Sequence, residues 1–593
     1  MVQRTSSGQA KLEEFERAVY CRKKEDRITE NDAAVRALHQ CLVTLREGAG
    51  FEGHGAANTM LLTRMASAIT ALWFDPGFNL SQDGLNLIYS EKVVIDTVFR
   101  ASAYGGTDHI FGLMPDDEEN ATKYLALFSP NSRLAFNLEA VFRENPQATI
   151  GLYLSLIGYG QILTEWGHER REKLLKLAHI FEGVDLPGGL WNTLCGAYMH
   201  CSYAEGPHKH DCKRVFHKVL GSVMDKAGLE PVGPLVRKDK PKLLCIFEWW
   251  WSKHAMYRSY AHSIRQLRQR FHLIGSCAGK NTDDEAKSLF DEWIEIDADN
   301  MNVPDVARKI SGVKADIIYY PSIGMGVWVI AMASARLAPI QVMGYGHPAT
   351  SNSPAMDYGI IESDCYTPGA FAERIITLPP NTVRPTAFQK IDTIHQPRKA
   401  DVVKIAVSAM QVKVTYPFVQ ALKEVQKRSK KKIELWFFSA AYGIGLYSLA
   451  SDLANQLQNV WVQEQQVYAD YMASMAACDL ALFSFPFGGA NSAYDALTIG
   501  LPMVSLKGTQ PHSMSDASIQ ARAGLPAEYT VDCVEDYIRR IVELVENDDK
   551  RAEFAAKVRA VDIENRFYQP DESGAFLKAF ESIYEENLLK QAA

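Results

Sequence analysis

The spacing of apolar residues divides the chain into a helical N-terminal part and a longer part in which strands and helices alternate. Up to residue 230, apolar side chains recur at intervals of three and four, as in Val35, Leu38, Leu42 and Leu45, and only six prolines interrupt the segment. No repeat of about 30 to 40 residues that would indicate a helical solenoid is evident. The pattern predicts an all-α domain over residues 1–230.

After a lysine-rich, proline-bearing connector at 231–241, short apolar segments alternate with helical ones. The predicted strands are Lys242–Trp250, Phe271–Ser276, Ala315–Tyr320, Gln341–Gly344 and Asp357–Ile361. The predicted helices are His254–Arg270, Glu285–Ile296 and Val327–Leu337. Regular alternation of this kind indicates a parallel sheet covered by helices on both faces, and we place this first Rossmann-like domain at residues 240–385.

A second connector, Pro379–Lys399, precedes another alternating region, which we place at residues 400–560. Its first predicted elements are the strands Val403–Ser408, Ile433–Phe438 and Val460–Val462, and the helices Pro417–Lys427, Tyr447–Gln456 and Tyr468–Ala477. Residues 561–593 are predicted to form a C-terminal helix that packs back on the rest of the chain. Two α/β domains joined in this way create a cleft between facing sheet edges, which is where such proteins bind ligands.

Around the segment Phe483–Gly508 the pattern is strand, glycine turn, helix and strand. The predicted elements are the strand Leu480–Phe485, the turn Pro486–Gly489, the helix Asn491–Ile499 and the strand Leu501–Leu506. At such a turn backbone N–H groups approach an anion, and the positive end of the following helix favours a phosphate. Asn491 and Ser492 supply short polar side chains at that end, and Asp495, one turn inside, is suited to accept hydrogen bonds from sugar hydroxyls. Ser492 and Asp495 also fit the capping box of an ordinary helix, so a nucleotide site and a structural cap are both open.

Composition and charge describe a globular protein of three or four domains. Of the 593 residues, 47% are apolar and 23% charged, and the net charge of −8 argues against general nucleic-acid binding. The first fourteen residues are polar and charged, which predicts no secretory signal. The uncharged run Asn145–Thr164 contains too many polar residues for a membrane span and predicts a buried helix.

The cysteines do not form a disulfide or metal pattern. The ten cysteines are scattered, as expected of reduced thiols in the cytoplasm. One segment is rich in both zinc-ligand types, and its members are Cys195, His200, Cys201, His208, His210, Cys212 and His217. Because their spacing matches no zinc finger or ribbon, we predict no metal site there.

Several motifs resemble the bacterial cytoplasmic N-glycosyltransferases that modify high-molecular-weight adhesins, a family related to the eukaryotic O-GlcNAc transferase. The motifs lie between Tyr198 and Asn547, in the same order as in the family: Pro321-Ser-Ile-Gly-Met325, Arg336-Leu-Ala-Pro-Ile-Gln341, Gly344-Tyr-Gly-His-Pro-Ala-Thr-Ser351, Met356-Asp-Tyr-Gly-Ile-Ile361, Phe485-Pro-Phe-Gly488 and Gly500-Leu-Pro-Met503. The resemblance implies an α/β protein of the GT-B fold, with two Rossmann-like domains behind the all-α domain. It also implies metal-independent transfer of a hexose, usually glucose, from a UDP-sugar to asparagine in Asn-x-Ser/Thr sequons.

The resemblance assigns roles to individual residues. Lys413 matches a lysine that reaches the diphosphate and offsets charge on the leaving UDP. Asn491 and Ser492 match the phosphate-binding helix start, and Asp495 matches the acid that binds the ribose. Tyr468 or Tyr471 is expected to stack on the uracil.

Three histidines complete the predicted site. His254 matches a family histidine that faces donor and acceptor, His347 lies in the Gly-His-Pro turn, and His200 matches another histidine of the cleft. An amide nitrogen is too weakly acidic for simple general-base catalysis by imidazole, so binding and orientation are their first expected roles. His254, His347 and Lys413 are the candidate catalytic residues.

Some positions depart from the family, and the function retains alternatives. Gln465 stands where a relative has a donor-site histidine, Ala441 where it has a glutamine, and Cys195 and Gly196 where polar residues are expected. These changes bear on the choice of sugar and on how the acceptor is bound.

The resemblance therefore predicts an inverting protein N-glycosyltransferase with no cofactor or metal. Its expected partners are a UDP-hexose donor and a protein acceptor such as an adhesin, without nucleic acid or membrane insertion. The alternatives are a serine or threonine O-glycosyltransferase and a catalytically silent, nucleotide-sugar-binding escort of adhesins.

Overall fold

The computed structural model describes residues 2–22, 27–47, 56–115, 118–297 and 302–592. The chain forms two compact units, each built from two stretches of sequence. Unit 1 consists of Met1–Ala204 and Lys404–Tyr471, and unit 2 of Glu205–Val403 and Met472–Ala593. Each unit is described separately below.

The N-terminal stretch of unit 1 is helical, as its apolar spacing predicts. Its helices are α1 (Val2–Tyr20), α2 (Arg27–Arg46), α3 (Ala56–Trp73), α4 (Gln82–Ser90), α5 (Lys92–Arg100), α6 (Asp108–Leu113), α7 (Glu118–Leu127), α8 (Leu138–Glu144), α9 (Pro146–Ile157), α10 (Glu165–Leu175) and α11 (Trp191–His200). The uncharged run expected to be a buried helix contains α9, whose side chains are buried from Thr149 to Ile157. No described helix has both the length and the apolar content needed to cross a membrane.

Unit 2 begins with a seven-stranded parallel sheet. Its strands are β1 (Lys242–Ile246), β2 (His272–Ala278), β3 (Glu292–Ile296), β4 (Ile317–Tyr320), β5 (Ile340–Met343), β6 (Tyr358–Glu362) and β7 (Arg374–Leu378), and its helices are α12 (Asp211–Asp225), α13 (Ala255–Leu267), α14 (Asp284–Lys287), α15 (Val303–Gly312) and α16 (Val327–Met332). The strand order is β3-β2-β1-β4-β5-β6-β7. The order reverses between β1 and β4, so the loops that follow these two strands lie at the switch point where α/β sheets bind ligands.

The predicted helix Glu285–Ile296 is wrong in its second half. Only Asp284–Lys287 is helical, and Glu292–Ile296 forms the edge strand β3, paired in parallel with β2. The Trp293 ring lies against Gly275, where an added Cβ would be 2.4 Å from it. This tertiary contact places an apolar residue over a glycine of β2, and it overrides the helical spacing of the segment.

The stretch after the connector supplies β8 (Val402–Val407), α17 (Tyr416–Arg428), β9 (Lys432–Ala441), α18 (Gly443–Ala454), β10 (Val460–Glu464) and α19 (Tyr468–Ala476). The order of the three strands is β10-β9-β8, and β10 runs parallel to β9. Within unit 1, α18 packs against α2 and α5. An ion pair of Arg100 with Asp452 strengthens this contact.

The last part of unit 2 continues with β11 (Leu480–Leu482), α20 (Ala490–Ile499), β12 (Met503–Leu506), α21 (Ser515–Arg522), β13 (Thr530–Val531), α22 (Val534–Glu546), α23 (Asp548–Arg559) and α24 (Ala575–Ala592). β12 pairs in parallel with both β11 and β13. Gly500 ends α20 in a left-handed conformation with φ of 75°, which favours glycine. α24 packs against α13 and β7. Its Phe576 and Phe580 also contact Tyr319 of β4.

Candidate functional site

The glycine turn before α20 packs closely against the turn that precedes α21, where the Gly488 N–H donates to the His512 carbonyl at 2.8 Å. Gly489 is the N-cap of α20, and no side chain caps the helix. Ser492 therefore lies inside the first turn instead of at the N-cap, so the capping-box alternative is wrong. An added Cβ at Gly488 would lie 2.0 Å from Asp516 Oδ1, so only glycine fits there. Asn491 and Ser492, both half-buried, stand in the first turn, where helical N–H groups have no partner within the helix.

Asp495 is held by an ion pair that the sequence did not reveal. Arg258 Nη1 donates to Asp495 Oδ1 at 3.0 Å, and both residues are only 5% exposed. Arg258 lies on α13, and its backbone N–H bonds the carbonyl of His254 one turn earlier. The pair therefore fixes the predicted ribose acid and ties α20 to the helix that begins at His254. Arg258 follows His254 by four residues, so the two lie on the same face of α13.

His254 caps α13 and is expected to be neutral. Its Nδ1 accepts a hydrogen bond from the backbone N–H of Met256 at 3.2 Å. Burial lowers the pKa of His254 to about 4. A neutral ring whose Nδ1 accepts carries its proton on Nε2, so His254 presents an N–H donor. This chemistry suits binding an oxygen of a phosphate or sugar better than taking up a proton.

The depressed pKa of His254 makes a pH-dependent contribution to stability. An imidazole with a folded-state pKa below its unfolded value of about 6.5 contributes stability that is present above pH 6.5 and lost as the pH falls toward 4. His254→Asn keeps a good helix N-cap but does not titrate. We expect the melting temperature of the wild type to fall more than that of His254→Asn between pH 7.5 and pH 5. Equal falls in the melting temperatures of the two proteins, measured by scanning calorimetry, would contradict the depressed pKa of His254.

His347 lies beside the glycine turn within unit 2. It is 4% exposed, and its ring centroid is 5.9 Å from that of Phe487. Phe487 in turn stacks on His512 at 5.1 Å. Unit 2 therefore brings the turn with His347 next to the turn that starts α20, while His254 is linked to α20 through Arg258 and Asp495.

Unit 1 holds the other candidate residues. Lys413 ends a short 3₁₀ turn, Gln411–Lys413, soon after β8, and is half-buried. Tyr471 Oη lies 2.8 Å from Ser408 Oγ, directly after β8, and its ring meets Phe438 edge-on at 5.6 Å. Tyr468 is a looser neighbour, with its ring 6.1 Å from Tyr471. The side chain of Tyr471 therefore lies near the carboxyl end of β8, and the turn that carries Lys413 follows the same end of the strand.

His200 lies close to the turn that carries Lys413. Its Nδ1 donates to the Gly158 carbonyl at 2.6 Å, which leaves Nε2 as the acceptor of the neutral ring. Burial lowers the pKa of His200 to about 4. A Cβ added at Gly160 would be 3.5 Å from the His200 ring and 4.0 Å from Val412, so Gly160 separates the two. Gln411 also donates to Gln161, which anchors the Lys413 turn to the loop that bonds His200.

The two departures near the predicted sugar site are neighbours. The Gln465 N–H donates to the Ala441 carbonyl at 3.2 Å, at the ends of β10 and β9. This is a backbone bond that any pair of non-proline residues makes. The substitutions therefore change side chains at this edge without changing the backbone pairing.

Glu248 is a further buried group that the sequence analysis did not single out. One carboxylate oxygen accepts from the N–H groups of Gly324, Met325 and Gly326 at 2.7, 2.7 and 2.8 Å, and the other accepts from Ser322 Oγ at 2.9 Å. Burial raises the pKa of Glu248, and these four donors oppose the rise. The signal for this site was an acid just past the end of a central strand, at the switch point.

Among the described residues no group of three or more His, Cys, Asp or Glu is placed to hold a metal ion.

Two family models match the helical N-terminal region. The model described as HMW1C N-terminal matches residues 38–123, and the model described as HMW1 domain 2 matches residues 139–223. The family resemblance seen in the sequence motifs is thereby confirmed, and it extends well before Tyr198.

Two relatives agree with this resemblance, and a solved structure shares the fold. The chain is 28% identical over 527 residues to a UDP-glucose:protein N-beta-glucosyltransferase of Actinobacillus pleuropneumoniae serotype 5b, covering 83% of this chain and 84% of that protein. A protein with the same description from serotype 7 is 27% identical over the same shares. An O-GlcNAc transferase variant of Thermobaculum terrenum has a TM-score of 0.57 at 15% identity, covering 99% of both chains. This likeness confirms the predicted fold, an α/β GT-B fold with a helical N-terminal region.

Proposed function

We propose that this chain, whose N-terminal region matches two HMW1-type family models, is a UDP-sugar-dependent protein N-glycosyltransferase that transfers glucose to asparagine side chains. The alignment over 83% of the chain with a UDP-glucose:protein N-beta-glucosyltransferase is the observation that carries the proposal. We further propose that the reaction inverts the anomeric centre and needs no metal. The acceptor is proposed to be asparagine in Asn-x-Ser/Thr sequons of a protein such as an adhesin, modified in the cytoplasm.

In the proposed reaction the side-chain nitrogen of asparagine attacks the anomeric carbon as the bond to UDP breaks, and the nitrogen releases one proton to solvent. The Lys413 ammonium would offset the negative charge that develops on the diphosphate, a role that metals fill in other enzymes. Asn491, Ser492 and the first turn of α20 would bind phosphate, and Asp495, held by Arg258, would bind the ribose hydroxyls.

The histidines divide between donor and acceptor roles in this proposal. His254, with its proton on Nε2, would donate a hydrogen bond to a phosphate or sugar oxygen. His200, whose Nδ1 proton is bonded to Gly158, would present Nε2 as a hydrogen-bond acceptor to the asparagine amide. His347 would orient the reacting groups from its turn beside Phe487. Tyr471, fixed by Ser408, is the better-held candidate for stacking on uracil.

The proposal is tested by incubating the protein with UDP-glucose and a peptide containing Asn-x-Thr, followed by mass spectrometry. We expect addition of one hexose, unchanged in the presence of EDTA and absent from the Asn→Gln peptide. Addition to the Asn→Gln peptide would indicate a hydroxyl acceptor. No addition from any UDP-sugar to any sequon peptide would contradict the enzyme assignment and favour a silent binding protein.

A further inference from the structure

A buried basic cluster lies beside His347 in unit 2, and none of its members is a predicted site residue. It comes from α12, from the loop before it and from the turn before α21, and its members are Lys209, His210, Lys213 and His512, each less than 10% exposed. Lys213 Nζ donates to the Thr350 carbonyl at 2.9 Å, in the same turn as His347. Burial of several basic groups is costly, so their placement calls for a role.

His512 contacts both of the turns that carry candidate site residues. Its Nδ1 lies 3.3 Å from the carbonyl of Pro348, the residue after His347. Its own carbonyl accepts from the Gly488 N–H at 2.8 Å, and its ring stacks on Phe487 with an interplanar angle of 24°. One residue therefore joins the Gly344–Ser351 turn to the glycine turn that starts α20.

Lys209 fixes the position of the proton on His512. Lys209 Nζ is 3.0 Å from His512 Nε2. An ammonium group only donates, so Nε2 must be the acceptor and the ring proton must be on Nδ1, facing the Pro348 carbonyl. Burial, together with the charge of Lys209, lowers the pKa of His512 well below its ordinary value, so the ring is neutral at neutral pH.

We propose that Lys209 and His512 are positioning residues that hold the His347 turn against the glycine turn in the geometry that turnover requires. Lys209 acts through His512, because its hydrogen bond selects the tautomer that donates to Pro348. The inference rests on the proposed function and on the place of His347 in it. A misplacement of reacting groups by about 1 Å costs about 100-fold in rate, so a small shift of this turn has a measurable effect.

A double-mutant cycle tests the proposal on the full-length protein with UDP-glucose and an Asn-x-Thr peptide. Lys209→Met removes the donor to His512 and is expected to lower kcat about 10- to 100-fold, with the KM for UDP-glucose changed less than about twofold. The Asn amide in His512→Asn places an N–H near the position of Nδ1 and needs no tautomer selection. In the His512→Asn background, Lys209→Met is therefore expected to change kcat less than about twofold.

His512→Phe provides a second variant that does not depend on the folding of Lys209→Met. Phenylalanine keeps the stacking on Phe487 but has no donor for Pro348, so we expect kcat to fall about 10- to 100-fold. His512→Asn is expected to stay within a few-fold of wild type. Equal kcat values for the phenylalanine and asparagine variants would overturn the proposal, as would equal Lys209→Met losses in both backgrounds.

The control is Lys92→Met in unit 1. Lys92 is 2% exposed, and its ammonium donates to the carbonyls of Leu125, Ala126 and Phe128. We expect this variant to lower the melting temperature without changing kcat per folded molecule.

A wild-type protein that transfers no sugar would contradict the proposed function itself. An active wild type in which the kcat losses of the Lys209 and His512 variants simply add would overturn only the positioning role.

Discussion

Replacing Lys413 by methionine is expected to lower kcat by about 10²- to 10³-fold, the usual effect of removing one preorganised group that stabilises developing charge. The ammonium is held on the 3₁₀ turn after β8, which Gln411 anchors to Gln161. Methionine keeps the length of the side chain and removes the charge. Because the charge on UDP grows as the bond breaks, we expect a larger effect on kcat than on the KM for UDP-glucose.

The matched control for this prediction is Lys423→Met. Lys423 is exposed on α17, ten residues after Lys413, and has no assigned role in the site. We expect its replacement to leave kcat within about twofold of wild type, since exposed substitutions have small effects. Transfer rates measured by mass spectrometry over a range of UDP-glucose concentrations give both constants. A Lys413→Met enzyme with full kcat would remove the lysine from the proposed chemistry.

Replacing Asp495 by alanine is expected to lower the free energy of unfolding by about 3–5 kcal/mol, because it leaves the buried Arg258 guanidinium without this partner. A loss of stability alone therefore does not distinguish a ribose-binding acid from a structural one. The affinity for UDP distinguishes the two roles. If Asp495 binds the ribose, we expect UDP binding to weaken about 10- to 100-fold, the range for hydrogen bonds to a charged group.

The double variant Asp495→Ala/Arg258→Met separates the two roles. It removes the buried charge, so part of the lost stability is expected to return in chemical denaturation. Binding of UDP, measured by calorimetry under conditions where each variant is folded, is expected to remain weak. Wild-type affinity in the double variant would show that Asp495 serves α13 and α20 and does not contact the nucleotide.

The local pattern of the sequence was sufficient to predict most strands and helices. The apolar run before Pro486 and the spacing after Gly489 predict β11 and α20, and the structure has both. The prediction for Glu285–Ile296 was wrong because a short apolar run fits the spacing of a helix as well as that of a strand. The packing of Trp293 over Gly275 favours the strand. Local spacing holds no information on that contact.

The candidate site was predictable in its motifs but not in its connections. His347 was predicted from its Gly-His-Pro turn, and Asn491 and Asp495 were predicted from the helix that follows the glycine turn. Arg258 and Asp495 are 237 residues apart, and Lys209 and His512 are 303 residues apart, so no local pattern indicates either contact. The tautomers of His200 and His254 are likewise set by the backbone groups that their rings meet in the fold.

Glu248 bears on where a nucleotide phosphate can bind. Three successive N–H groups that converge on one oxygen are what a phosphate requires, and here the protein's own carboxylate fills that position. A phosphate approaching the switch point of the seven-stranded sheet meets an acid instead of an open cradle. Under the proposed function, UDP is therefore expected at the glycine turn before α20 and not at this edge of the seven-stranded sheet.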